Sequence, residues 1–208
     1  GDIHIQRYDA AGAAQGGNVR VNSTTGNVQE FCSVAVGSAG DFVVVWESEA
    51  QDGNLDGVYG QRYNAAGVAQ GGEFRINTTT GGDEQNTAVA MDASGNFVVV
   101  WDASTADPGG NTGVYAQRYD AAGVAQGSEF RVNTTTNDTQ ALASVAMSGG
   151  GNFIVTWHSN LQDGSGYGVY AQHYAASGSA LGGEILVNTT TTTNAQQNPS
   201  VAYAGSNA

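Results

Sequence analysis

The acidic side chains best placed to do chemistry sit in a loop that recurs after each tryptophan. It reads ESEAQDGNLDG, then DASTADPGGNTG, then HSNLQDGSGYG. Asp52, Asp56, Asp107 and Asp163 are hard oxygen ligands of the kind calcium accepts, and the glycines allow the tight path that a binding loop follows. No copy has DxDxDG spacing, and Asp and Gly are also ordinary turn residues. Calcium is the cofactor these loops suggest, and no motif fixes it.

Aromatic residues recur as regularly. Trp46, Trp101 and Trp157 each close an apolar run, and Tyr59, Tyr115 and Tyr170 follow at one repeat position. Packing between units is one reading of them. The other is a stacking platform for the apolar C–H faces of sugar rings, the basis of a multivalent lectin. The six cations are all arginines in two repeat positions: Arg7, Arg62 and Arg118, then Arg20, Arg75 and Arg131. In the last unit both give way together, to His173 and Leu186, which suggests a shared environment and structural ion pairing. Asn22, Asn77, Asn133 and Asn188 stand in N-x-S/T sequons at one position. They are either glycan acceptors or the end of an edge strand.

Other chemistry finds little support. His4, His158 and His173 fall at different repeat positions without recurring partners for zinc or base catalysis. Cys32 is the single cysteine, so no internal disulfide can form, and a small residue on a buried strand is its expected role, against a reactive thiol. No nucleophile elbow, phosphate loop or paired-acid motif stands out, and catalysis is not expected.

The elements that must position these residues repeat with a fixed beat. Tyr8, Tyr63, Tyr119 and Tyr174 close near-identical phrases spaced 55, 56 and 55 residues apart. Such a period signals an array whose units bury their faces against one another. Each unit holds four apolar runs. The first is small and apolar, as in Ser33–Val36. The second, Phe42–Trp46 and its copies, is apolar on both sides of the pleat and hence covered on both faces. The third, Val58–Tyr63, alternates, and the fourth, near Glu73–Asn77, is polar enough for an outer edge.

The expected fold is all-β: a β-propeller-like array of four-stranded antiparallel blades, with three full repeats plus two partial ones. A β-solenoid and a row of separate β-domains are the competitors. The chain reads as a single repeat domain, 1–208. Its units span about 1–28 (partial), 29–83, 84–139, 140–195 and 196–208 (partial). It starts and stops inside a repeat and is expected to be a segment of something longer. Joined flanks would make a blade without its second strand, open to a strand from another copy.

Composition limits the partners. The net charge is −13 with no lysine, which disfavours nucleic acid and anionic membranes. Nothing approaches the roughly 20 apolar residues of a membrane span.

The phrases FVVVWESEAQDGNLDGVYGQRYNAAG, GGEFRINTTT and SVAM resemble a tandem repeat of large secreted bacterial proteins, many of them adhesin-like and associated with type I secretion (RTX). The resemblance covers essentially the whole chain. It implies an extracellular or cell-surface location and a propeller-like or adhesive module, with no defined functional residues. The calcium-binding nonapeptide GGxGxDxUx is absent, so that mode of binding is not transferred. The expectation is therefore a non-catalytic repeat module with a structural or adhesive role, assembling into oligomers or filaments. The alternative is a multivalent carbohydrate-binding propeller. Expected partners are other copies of the chain and glycans.

Overall fold

A computed structural model of the chain describes residues 1–190 and 193–203; the expected last unit, 196–208, lies partly outside them. Every regular element among the described residues is a β-strand. β1 (His4–Tyr8) and β2 (Ala14–Arg20) form a two-stranded hairpin. Sheet 1 is β3 (Gln29–Val36), β4 (Phe42–Glu49), β5 (Asp56–Tyr63) and β6 (Phe74–Arg75). Sheet 2 is β7 (Glu84–Met91), β8 (Phe97–Asp107), β9 (Asn111–Tyr119) and β10 (Phe130–Arg131). Sheet 3 is β11 (Gln140–Met147), β12 (Phe153–Asn160), β13 (Tyr167–Tyr174) and β14 (Ile185–Leu186). In each complete sheet the strands are antiparallel and ordered as they occur in sequence. The four strands expected of each repeat are thus present in three copies, and β1 and β2 correspond to third and fourth strands.

The two-faced second strand dictates the packing. Along β4, Phe42, Val44 and Trp46 point toward the hairpin and pack with Ile3 and Val21. Val43 and Val45 point the other way, toward Val89, Val99 and Trp101 of sheet 2. Sheet 2 repeats the pattern, with Val98 and Val100 meeting Val145, Val155 and Trp157 of sheet 3. Sheets therefore lie face to face, with β4 and β8 each sandwiched between neighbours and β12 packed through Phe153, Val155 and Trp157 on sheet 2. Each fully buried side chain of this size contributes roughly 1.5–3 kcal/mol.

Two kinds of polar contact fix the spacing from unit to unit. The Arg7 guanidinium donates to the Ala65 carbonyl at 2.7 Å, and Arg62 and Arg118 donate to Ala121 and Ala176 at 2.6 Å, each reaching a turn of the next unit. Coming back, Glu73 accepts from the Ser23 N–H at 2.7 Å and Glu129 from the Thr78 N–H at 2.6 Å, with Glu184 doing the same for Thr134. Inside each unit, the Asn22, Asn77, Asn133 and Asn188 carboxamides accept from the N–H groups of Ile3, Val58, Val114 and Val169.

Two expectations change. The ion pairing expected of Arg7, Arg20, Arg62, Arg75, Arg118 and Arg131 is present, among the described residues, only as Arg131 with Asp107 at 3.5 Å. The QRY arginines serve carbonyls instead. His173 replaces them in sheet 3, beyond which no further complete sheet follows among the described residues. The run Ser200–Tyr203, expected as a first strand, is not in a strand among the described residues.

The arginine contacts constrain their targets. Gly67, Gly123 and Gly178 have φ of +78°, +81° and +86°, and a Cβ on any of them would lie 2.5 Å from the Nε of Arg7, Arg62 or Arg118. Gly127 shares the positive φ (+78°) but faces open space. Gly123→Ala should therefore cost about 1 kcal/mol more than Gly127→Ala, whose loss is confined to backbone strain. Urea unfolding of the two variants checks this; equal losses would remove the contact from the account.

Candidate functional site

The repeats are nearly identical in sequence, so chemistry is best sought where they differ. The position after the tryptophan is such a place. It holds Glu47 in sheet 1, Asp102 in sheet 2 and His158 in sheet 3, all buried. These groups are held by a distortion in the neighbouring sheet. Each first strand carries a β-bulge, and Phe31, Asn86 and Leu142 there have φ of 47°, 55° and 53°. A bulge frees N–H groups from the ladder. The Glu47 carboxyl accepts from the Asn86 N–H at 2.5 Å, and Asp102 accepts from the Leu142 N–H and the Asn86 side chain, both at 2.8 Å. In sheet 3 the same position is occupied by His158, whose ring lies 4.5 Å from that of Tyr167.

The bulges converge. Phe31, Asn86, Leu142 and Asn198, one from each of four successive units, line a single opening of about 330 Å³. First strands of successive sheets are neighbours, so this opening marks the place where the units face one another.

Beside it, the junction of sheets 1 and 2 collects carboxyl groups. Glu30 lies opposite Glu47 across the β3–β4 ladder, and Glu49 lies opposite Asp56 across β4–β5. The Asp56 N–H donates to Asp83 of the next unit at 3.1 Å, and Gln85 donates to Asp56 at 3.0 Å. Glu30, Glu49, Asp56 and Asp83 line a cavity of about 340 Å³, floored by Val28 and Leu55. At the junction of sheets 2 and 3 the corresponding residues are Gln85, Asp102, Ser104, Thr112 and Thr139, with one carboxyl among them.

Electrostatics follow from the crowding. Burial pushes Glu47 up to about 7, against the N–H groups of Asn86 and Thr87 and with help from the charges of Asp56 and Glu30. Burial also raises Asp83, opposed by the Asp56 N–H and reinforced by the Asp56 charge. Glu84 and Asp102 are held at about 7, chiefly by burial. Burial lowers His158, which favours the neutral imidazole. The junction therefore sets two carboxyls shifted toward the protonated form, Glu47 and Asp83, beside three others, an arrangement suited to acid–base chemistry.

The residues singled out from sequence have other surroundings. Trp46, Trp101 and Trp157 have no exposed surface, so none has a face to offer a sugar ring, and their indole N–H groups find no acceptor. Each lies opposite its tyrosine, Tyr59, Tyr115 or Tyr170; Tyr59 and Tyr170 are buried and Tyr115 is half-buried. The sequons fare similarly. Asn22, Asn77 and Asn133 are buried and Asn188 is half-buried, each spending its carboxamide on backbone and side chains, which leaves no amide free for a glycan.

The loop aspartates are dispersed rather than gathered. Asp52, Asp107 and Asp163 accept from Asn77, Asn133 and Asn188, one pair per sheet. Asp56 alone belongs to the carboxyl-lined cavity. Among the described residues, no group of three or more His, Cys, Asp or Glu side chains is set as a metal ion would need. Cys32 is exposed, at the rim of the opening where the bulges meet.

Reasoning from sequence passed over Glu30, Glu47, Glu49 and Asp83. Aligning the units residue by residue would have exposed them, because each occupies a position that another unit fills with a neutral or different titratable side chain.

No protein-family model matches the sequence, and no curated protein is similar to it. Among solved structures, the chain is similar to an endo-arabinase from Bacteroides thetaiotaomicron (13% identity, 66% of this chain and 53% of that one, TM-score 0.46). It is also similar to a GH43 endo-arabinanase from Bacillus licheniformis (9%, 79% and 60%, TM-score 0.47). A third is described under the GH130 family of mannoside phosphorylases, containing glycoside hydrolases that target β-1,2 mannosidic linkages in Candida mannan (10%, 74% and 51%, TM-score 0.42). The chain spans between half and three-fifths of these proteins' lengths. All three are named as carbohydrate-processing enzymes. Those names stand against the expectation of a non-catalytic structural, adhesive or filament-forming module, which is not taken further. At this identity no activity passes from them to this chain, whose chemistry rests on its own residues.

The raised carboxyls carry a stability signature. Glu47, Glu84 and Asp102 bind protons more tightly folded than unfolded. Their contribution is complete below the unfolded range near pH 4 and is lost as pH rises through about 7. A shift of this size corresponds to on the order of 3–4 kcal/mol per group. Thermal unfolding should show greatest stability near pH 5 and a fall toward pH 8, with Glu47→Gln flattening part of that fall. A melting temperature that climbs from pH 5 to pH 8 would contradict the assignment.

Proposed function

We propose that the chain is a propeller-type module of a carbohydrate-processing enzyme, with the carboxyl-lined junction of sheets 1 and 2 as its acid–base site. The propeller reading is supported by three sheets stacked face to face with their first strands adjacent, and by four units lining one opening. The observation that carries the catalytic reading is the broken symmetry. Five carboxyls gather at one junction, and one stands at the next. Hydrolysis of a glycosidic bond needs a protonated carboxyl to give its proton to the leaving-group oxygen and a second, ionised one across the cleft. Asp83 lines the cavity and is held toward its protonated form, so it is assigned as the donor. Glu30 and Glu49, exposed in the same cavity, are placed to take a proton from the attacking water. Glu47 is buried behind them and is assigned as a positioning residue that holds the Asn86 bulge.

Location belongs to the same proposal. The likeness to repeats of secreted bacterial proteins, the absence of lysine and the high acidic charge support a place outside the cell.

Release of reducing sugar from arabinan, β-1,2-linked mannan and a set of aryl glycosides tests the reading. Turnover of at least one substrate is expected, falling as pH rises through the titration of Asp83. Asp83→Asn and Glu30→Gln should each lower it by about 100-fold or more, in line with the loss of a general acid or base. Hydrolysis that survives both substitutions, or no hydrolysis of any substrate, would refute the assignment.

A further inference from the structure

One buried carboxyl stands where the other units hold an amide. The asparagine that closes each third strand also donates to the first residue of the following unit. That residue is Gln29, Gln140 or Gln196 at three places and Glu84 at the other. The glutamines then use their own amides as donors. Gln140 donates to the Asn137 carbonyl at 2.8 Å and to the Ser159 Oγ at 3.3 Å. Gln29 donates to the Ser48 Oγ at 3.4 Å, and Gln196 to the Thr193 and Asn194 carbonyls at 3.1 Å. Each ties the start of a unit to the corner before it or to the second strand beside it.

An ionised Glu84 has nothing to donate. The residue is 1% exposed; its Oε2 accepts from Asn77 at 2.9 Å, and its Oε1 has no hydrogen-bond partner among the described residues. The stretch from Asn77 to Glu84 has the same length as that from Asn133 to Gln140, so the counterpart of the Asn137 carbonyl is that of Gly81. Across the ladder the counterpart of Ser48 and Ser159 is Ala103, which offers no hydroxyl to a carboxylate. The charged groups that act on Glu84 are all acidic: Asp52 from the loop after β4, Glu129 before β10, and the adjoining Asp83. Burial first, then these three charges, push Glu84 up to about 7, opposed by the Gly82 N–H. A proton on Oε1 gives the carboxyl the donor that glutamine has. Without it, a buried anion is left short of a donor.

We propose that Glu84 is a proton-operated latch on the corner of chain at 78–83. Protonated, it stands in for glutamine and ties the Gly81 carbonyl to the start of β7; ionised, it lets that corner go. The same corner carries Asp83 into the carboxyl-lined cavity and seats Glu129 of the next unit through Thr78 and Thr79. A closed latch therefore fixes Asp83, and an open one loosens both Asp83 and a contact between sheets 1 and 2. The latch stands on the comparison of the units alone. Its consequence, that Glu84 is a positioning residue for Asp83, rests on the acid–base reading above.

Amide hydrogen exchange of the whole chain, corrected for the intrinsic effect of pH, tests the latch without any turnover. Protection at residues 78–83 should fall at least tenfold between about pH 5.5 and about pH 8.5, as Glu84 ionises. Glu84→Gln installs the residue that the other units already hold. It should keep that protection nearly constant and raise the melting temperature at the higher pH but not at the lower. Ala103→Ser supplies the hydroxyl found in sheets 1 and 3 and should narrow the difference by giving the ionised carboxyl a donor. The proposal is overturned by equal protection of the wild-type corner at both pH values, or by a Glu84→Gln variant that follows the wild-type curve. Protection restored by calcium chloride at the higher pH would also overturn it, making Oε1 the seat of a cation rather than a proton. A failed exchange result refutes the latch whatever the turnover, whereas missing turnover bears on the acid–base reading alone.

Discussion

A strand that is apolar on both faces cannot be satisfied by one neighbour, and the rest of this structure follows from that. Phe42–Trp46 and Phe97–Trp101 each take cover from the unit before and the unit after, and Phe153–Trp157 from the unit before. Units must therefore stack face to face, and the repeat length is what brings each second strand back to that position. The polar contacts are subordinate to this packing. Arginine-to-carbonyl and glutamate-to-threonine hydrogen bonds set the spacing, while the buried valines and aromatic residues supply most of the favourable free energy.

Symmetry of this kind builds a scaffold, and departures from it build a site. Positions that face the apolar core hold Val, Phe, Trp and Tyr in nearly every unit, because a change there would leave a cavity or a clash. The loop end of each junction is free of that demand. There the repeats diverge to Glu47, Asp102 and His158, and to Glu49, Ser104 and Asn160. Only the first junction fills the freedom with carboxyl groups. Burial, reinforced by neighbouring charge, shifts Glu47 and Asp83 toward their protonated forms, the property that a proton-transfer site requires and an ordinary surface lacks.

Much of the architecture was legible in the sequence. The period, the four runs per unit and the two-sided burial of the second strand all follow from β-branched and aromatic residues placed in a fixed rhythm. The second strands run on past their tryptophans, to Glu49, Asp107 and Asn160, because cross-strand pairing continues into what reads as loop. The bulges were not legible. Phe31, Asn86 and Leu142 adopt positive φ without a glycine to announce it, and carboxyls from another sheet meet the last two. The functional reading suffered for the same reason. Trp46 and its copies look like binding residues until their cover is counted, and the sequons look like glycan sites until Asn77 is seen closing the third strand through the Val58 N–H. Glu30, Glu47 and Asp83 gather only when two units stand side by side, which no single repeat reveals.

Native-state amide hydrogen exchange tests the central claim, that each second strand is held by the units packed against it. β4, β8 and β12 should exchange only through one shared opening whose free energy equals that of global unfolding, with the hairpin edge at β1 exchanging far sooner. Second strands that open independently, one sheet at a time and at separate free energies, would contradict it.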